Sequence, residues 1–139
     1  MLDEARDGAA TARGAPGLQG RRVLVEIDGL RPMPAKRPRV DRGGAHNEPG
    51  YAAYLDRLRG EILAQAGRPM LEGPLSLSVA FWGARKNADL SNLVKAIEDA
   101  GQGLLYGNDN QIQSLEAIRC VDKRLRIRFS VTMIQEAAG

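Results

Sequence analysis

The chain has 139 residues, 43% of them hydrophobic and 27% charged, which fits one folded domain and excludes wholesale disorder. The 20 Lys and Arg against 17 Asp and Glu leave a net charge of only +3, too thin a margin to announce a nucleic-acid partner by itself. One cysteine, Cys120, and one histidine, His46, exclude an intrachain disulfide framework, a multi-cysteine metal site and a histidine-rich one. A metal, if bound, would have to be held by carboxylates and water. No apolar run approaches the ~20 residues that span a bilayer, and the N-terminus lacks the apolar core of a signal peptide. A cytoplasmic protein is expected, with no membrane partner.

In chain order, residues 1–20 are rich in Ala and Gly without hydrophobic period and read as a flexible leader before a domain over 21–139. Val23, Val25 and Ile27 alternate and predict a strand over 22–28, closed at Asp28-Gly29. The Pro- and Arg-rich stretch 31–50 reads as an extended loop, since its prolines disfavour regular hydrogen bonding. Tyr51, Tyr54, Leu55, Leu58, Ile62 and Leu63 recur at helical steps and predict a helix over 51–66, ended by Gly67 and Pro69. Leu75, Leu77, Val79 and Phe81 mark a strand over 75–82. A basic loop, Gly83-Ala84-Arg85-Lys86-Asn87, then leads into a helix that starts near Asp89 and ends before Gly101. Its apolar stripe is Leu90, Leu93, Val94 and Ile97; its polar face collects Ser91, Asn92, Lys95, Glu98 and Asp99. Tyr106-Gly107-Asn108-Asp109-Asn110 is a turn by composition. Two strands follow, 111–120 and 124–134, joined by a tight turn at Asp122-Lys123. The order β-α-β-α-β-β predicts an α+β domain, a largely antiparallel sheet with two helices packed on one face.

The chemistry concentrates in Asp89-Leu90-Ser91-Asn92-Leu93-Val94-Lys95 and Asn108-Asp109-Asn110-Gln111. Taken singly, Asp89 reads as a helix N-cap, Asp109 as a turn residue, and Asn92 and Lys95 as a solvated face. If the turn folds back to the helix start, Asp89 and Asp109 meet beside Ser91, Asn92 and Lys95. Two carboxylates and water suit Mg²⁺, which activates water and offsets charge on a phosphodiester. Lys95 would stabilise the same charge.

These motifs resemble the RusA family of Holliday-junction resolvases, endodeoxyribonucleases of bacteria and their phages and prophages. Asp89-Leu90-Ser91-Asn92-Leu93-Val94-Lys95-Ala96-Ile97-Glu98-Asp99-Ala100 is similar to the family's Asp-x-Asp-Asn-x-x-Lys-Ala-x-x-Asp-Ala. Asn108-Asp109-Asn110-Gln111 resembles its Asp-Asp-x-Gln, and Pro32 to Arg39 its Pro-x-Pro-Lys-x-Arg-Pro-Arg. The resemblance runs from Val23 to Ile134. It implies Asp89 and Asp109 as metal-binding carboxylates, Lys95 as the catalytic lysine, and Asn92, Asp99 and Gln111 as residues supporting them. It further implies Mg²⁺, with Mn²⁺ as a substitute, and a homodimer that cuts four-way DNA junctions to leave a 5′-phosphate in recombination and repair. Two positions depart from the pattern: Ser91 and Asn108 each stand where the family has an aspartate. Ser91 would reach a metal only through water. These departures motivate the alternative, a catalytically weakened branched-DNA-binding protein of the same fold.

Residues 31–46 hold Arg31, Lys36, Arg37, Arg39 and Arg42 against the single acid Asp41. This local excess reads as an arm for DNA phosphates, as do Arg85 and Lys86 before the proposed site. Arg124, Arg126 and Arg128 alternate along the last strand and form either a second basic row or an ordinary solvated face.

Overall fold

The computed structural model describes residues 21–35, 39–41, 44–46 and 49–134; the expected leader lies outside them. Strand β1 (Arg22–Asp28) buries Val23, Val25 and Ile27 and turns Arg22, Leu24 and Asp28 outward, the period of two that a pleated backbone imposes. The stretch expected to be irregular contains a short antiparallel pair, β2 (Arg39–Asp41) and β3 (Gly44–His46), with Val40 opposite Ala45. Neither three-residue strand contains a proline, so nothing removes a ladder donor there.

Helix α1 (Pro49–Ala66) starts on a proline, whose missing N–H would be unpaired in the first turn in any case. Tyr51, Tyr54, Leu58 and Ile62 form its buried stripe, while Leu63, counted with them from spacing, stays 48% exposed. Gly67 ends the helix at positive φ, its N–H donating to the Ile62 and Leu63 carbonyls. Strand β4 (Leu75–Trp82) buries Leu75, Leu77, Val79 and Phe81 against the helices. Helix α2 (Leu90–Gly101) buries Leu93, Val94, Ala96, Ile97 and Ala100 and leaves Ser91, Asn92 and Lys95 exposed. Burial of Leu93 and Ile97 contributes about 1.5–3 kcal/mol each, so a charge at either position would break the helix–sheet contact. A single 3-10 turn (Asp109–Gln111), β5 (Ile112–Cys120) and β6 (Arg126–Met133) complete the chain.

The sheet order is β1-β6-β4-β5. Strand β6 runs antiparallel to both β1 and β4, and β5 runs parallel to β4. The α+β class and the order β-α-β-α-β-β are as expected, and the sheet is antiparallel except at β5. The turn at Asp122 does not close a hairpin, however. Residues 121–125 carry the chain past the end of β4, so that β6 enters between β1 and β4. Burial gives the reason. Ile127, Phe129 and Val131 of β6 are at most 1% exposed, whereas Leu115 and Ile118 of β5 are half exposed. The more apolar strand takes the central position and the more polar one the edge. Gly83, just past β4, has positive φ and lies where a Cβ would meet the Arg124 carbonyl at 2.7 Å; only glycine lets the 121–125 connection pass this closely.

Both helices cover one sheet face, and among the described residues no helix covers the other. There Arg128 sits across from Glu26, and Arg126 from Asp28. Arg126 lies 3.0 Å from Glu26 and 3.5 Å from Asp28, and Arg128 lies 3.3 Å from Glu26. Arg124 and Arg126 stack over Trp82 at 5.7 and 5.3 Å. The arginine row is thus matched by β1 carboxylates and by an indole face. Among the described residues, no helix is long and apolar enough to cross a membrane.

Candidate active site

Because β5 is parallel to β4, helix α2 must return the chain from the end of β4 to the level of its beginning. The residues of interest are therefore strung along α2. Asp89 precedes its first turn in extended backbone, φ −79° and ψ 131°, and its carboxylate makes no capping bond. Only its carbonyl serves the helix, accepting from the Leu93 N–H. The carboxylate is exposed, as is Ser91, and the N-terminal backbone dipoles favour negative charge nearby.

Lys95 lies one and two-thirds turns further on. Its Nζ donates to Asp109 Oδ2 at 3.0 Å and pairs with Asp99 Oδ1 at 3.3 Å. Asp99 in turn accepts from the Tyr51 hydroxyl at 3.2 Å, which ties the cluster to α1. The Asp109 hydrogen bond, joined by Asp99 and opposed by burial, holds Lys95 above its ordinary lysine value. Glu98 is held above the usual carboxylate range, first by burial and then by Asp109 and Asp99, with Lys95 opposing. Burial, with help from nearby carboxylates, pushes the Tyr51 and Tyr106 hydroxyls up; the Tyr106 hydroxyl donates to the Glu98 carbonyl at 2.7 Å.

Gln111 fixes the turn that delivers Asp109. Its Oε1 accepts from the Gly107 and Asn108 N–H groups, and its Nε2 donates to the Leu71 and Gly73 carbonyls, all between 3.0 and 3.1 Å. Asn108 caps the 3-10 turn, its Oδ1 accepting from the Asn110 N–H at 2.9 Å. An amide oxygen fills that role as well as a carboxylate, which accounts structurally for asparagine at this position. Asn92 contributes through its backbone: its carbonyl accepts from the Ala35 N–H at 2.8 Å, pinning the proline-rich stretch to α2.

The structure brings Lys95, Asp99 and Asp109 together, with Glu98 adjacent. Asp89 precedes the same helix, six residues before Lys95 and about 9 Å of axial rise from it. The turn after α2 folds back so that Asp109 reaches Lys95. The donors are hard oxygens of the kind Mg²⁺ takes. Among the described residues no group of three or more His, Cys, Asp or Glu side chains is placed to hold a metal.

Arg85 and Lys86 are exposed on the loop leading to Asp89. Lys36, Arg37 and Arg42 lie outside the described residues, and of Arg39 only the backbone is described. Two positioning residues escaped sequence reasoning. Arg119 of β5 donates through Nη1 to the Ala88 carbonyl and through Nη2 to that of Arg85, setting the loop before Asp89. Arg59 of α1 donates to the Ala100 and Gln102 carbonyls, both at 3.0 Å, and so caps the C-terminus of α2, which has no basic residue in its last turn. Neither has a local signal, because each partner comes from another element. Tyr51 was legible as a core residue, but not as a donor to Asp99.

No curated protein matches the chain. The family model of endodeoxyribonuclease RusA matches it over residues 29–132. That span takes in both helices, strands β4 and β5, nearly all of β6, and the whole Lys95–Asp99–Asp109 cluster. The chain therefore belongs to the RusA endodeoxyribonuclease family.

Proposed function

We propose that this protein is a divalent-cation-dependent, structure-selective endodeoxyribonuclease that cuts four-way DNA junctions in recombination and repair, acting as a homodimer in the cytoplasm of a bacterial or phage-infected cell. The observation that carries the reading is the Lys95–Asp99–Asp109 cluster, set on the helix of a RusA-family chain. Lys95 pairs with two carboxylates, and its ammonium can offset charge on a phosphate oxygen as the phosphodiester is cut. Arg85 and Lys86 receive flanking phosphates, and the arm from Lys36 to Arg42 adds phosphate interactions that carry no base sequence. Asp89, left free of capping, and Asp109 supply oxygen ligands, with Ser91 acting through water. Mg²⁺ or Mn²⁺, when bound, would activate water and neutralise phosphate charge. Two strands must be cut to resolve a junction, which is the argument for two copies.

The test is cleavage of a labelled synthetic four-way junction in Mg²⁺, comparing the unaltered chain with Asp89→Asn and Asp109→Asn. Loss of cutting in both, with junction binding retained, is the expected result. Cutting that survives both substitutions sinks the assigned site. Ser91 favours the second reading, a branched-DNA binder with weakened chemistry. Tight binding without cutting in either Mg²⁺ or Mn²⁺ would establish that reading instead.

A further inference from the structure

Beside the carboxylate–lysine cluster lies a cavity of about 320 Å³, lined by Arg31, Pro32, Met33, Pro34, Gly50, Tyr51, Arg85, Asn87 and Ala88. It adjoins the site on two sides. Ala88 immediately precedes Asp89, and Tyr51, which also lines the cavity, gives its hydroxyl to Asp99. The cavity is also held open by bonds that do not involve its contents. The Arg31 Nη1 donates to the Gly83 carbonyl at 2.8 Å, the Ala35 N–H to the Asn92 carbonyl at 2.8 Å, and Arg119 grips the 85–88 loop.

Its chemistry is divided. Pro32, Met33, Pro34, Ala88 and Tyr51 make apolar walls, while Arg31, Arg85 and Asn87 make a cationic and amide lip. At the lower end of small-ligand pocket sizes, such a space accepts one flat heterocycle with an anionic group left at its mouth. Resting on the proposed function, we infer that the pocket receives a single nucleobase, unstacked from the strand being cut, next to the scissile phosphate. Apolar and aromatic walls take the face of the base, as they do in proteins that extrude a nucleotide from the stack. The Asn87 amide meets the base edge, and Arg31 and Arg85 hold the adjoining phosphates. A branched junction favours this exchange, since unstacking costs least where pairing is already interrupted.

Gly50 allows a direct test. A Cβ there would meet only Met33 Cε, at 3.9 Å, so Gly50→Leu fills the pocket without touching Asp89, Lys95 or Asp109. The substrate is a four-way junction carrying 2-aminopurine in turn at each nucleotide flanking the cut. The unaltered protein should raise fluorescence at one position, and Gly50→Leu should abolish that rise. Cleavage of the intact junction should fall about tenfold in the variant, matching the loss of one stacked base. An abasic site at the responsive position should abolish the difference between the two proteins. Asn87→Ala, at an exposed position, gives the same comparison should Gly50→Leu fail to fold, with a smaller loss of cutting that the abasic junction likewise erases. No fluorescent position, or a deficit that persists on the abasic junction, overturns the pocket while leaving the nuclease reading intact. Failure of the unaltered protein to cut any junction overturns both.

Discussion

Lys95 Nζ lies 3.0 Å from Asp109 Oδ2, a residue fourteen positions further along the chain. The same ammonium pairs with Asp99 one turn along the helix, so one cation is shared between two carboxylates. Removing the cation should leave Asp99 and Asp109 facing each other unneutralised, whereas removing Asp109 frees the cation. Lys95→Ala should therefore lower junction cleavage at least ~100-fold, the scale of deleting one preorganised electrostatic interaction. Junction binding should fall far less. A cleavage time course beside a binding titration decides it, and equal losses in both would make Lys95 a DNA-binding residue only.

Gln111 bonds two N–H groups of the turn and two carbonyls of the 71–73 stretch. Gln111→Ala removes all four bonds and should cost about 1–2 kcal/mol of stability, with a several-fold fall in cleavage because Asp109 loses its fixed approach. Chemical denaturation and steady-state cleavage measure the two effects. Unchanged cleavage in a destabilised variant would separate the turn from the chemistry.

Glu98 is held above the ordinary carboxylate range, first by burial. The folded state therefore retains its proton to higher pH than the unfolded chain does. Its contribution to stability is fully present below the unfolded value and is lost as pH rises through the folded one. Glu98→Gln keeps the neutral form at every pH. The melting temperature of the variant relative to the unaltered chain should accordingly rise between pH 4 and pH 7, measured in metal-free buffer. A difference that stays flat or falls over that range contradicts the assignment.

Ser91 stands two residues beyond Asp89, exposed at the start of α2. Ser91→Asp adds a carboxylate beside one that makes no capping bond, which should raise cleavage several-fold at limiting Mg²⁺ and hardly at saturation. A Mg²⁺ titration of both proteins checks this. Identical curves would mean that the serine already suffices.

Arg85 and Lys86 are exposed immediately before the site. Replacing both with Ala should weaken junction binding and lower the salt dependence of the association constant by about one unit of slope for each phosphate no longer neutralised. An unchanged slope would make this loop a bystander.

Much of this was legible in the order of residues. Alternation at Val23, Val25 and Ile27, and at Leu75, Leu77, Val79 and Phe81, comes from the strand's own geometry. The spacing of Leu93, Val94 and Ile97 likewise comes from the helix's. Such periods are local, and they carried the element types, the core faces and the α+β class. Lys95, Asp99 and Asp109 were legible as chemistry-bearing residues through their motif. Their arrangement was not. Strand pairing joins segments far apart in sequence, and the choice of neighbour rests on comparative burial among all four strands. That competition put β6 between β1 and β4, set Glu26 and Asp28 against the arginines of the last strand, and laid β5 parallel to β4. The parallel pairing then brought the turn before β5 onto the middle of α2. Asp109 consequently meets Lys95, and Arg119 holds the loop that precedes Asp89. Local sequence determined which side chains each element presents; only the tertiary structure decided which of them meet, because burial is settled by the whole chain at once.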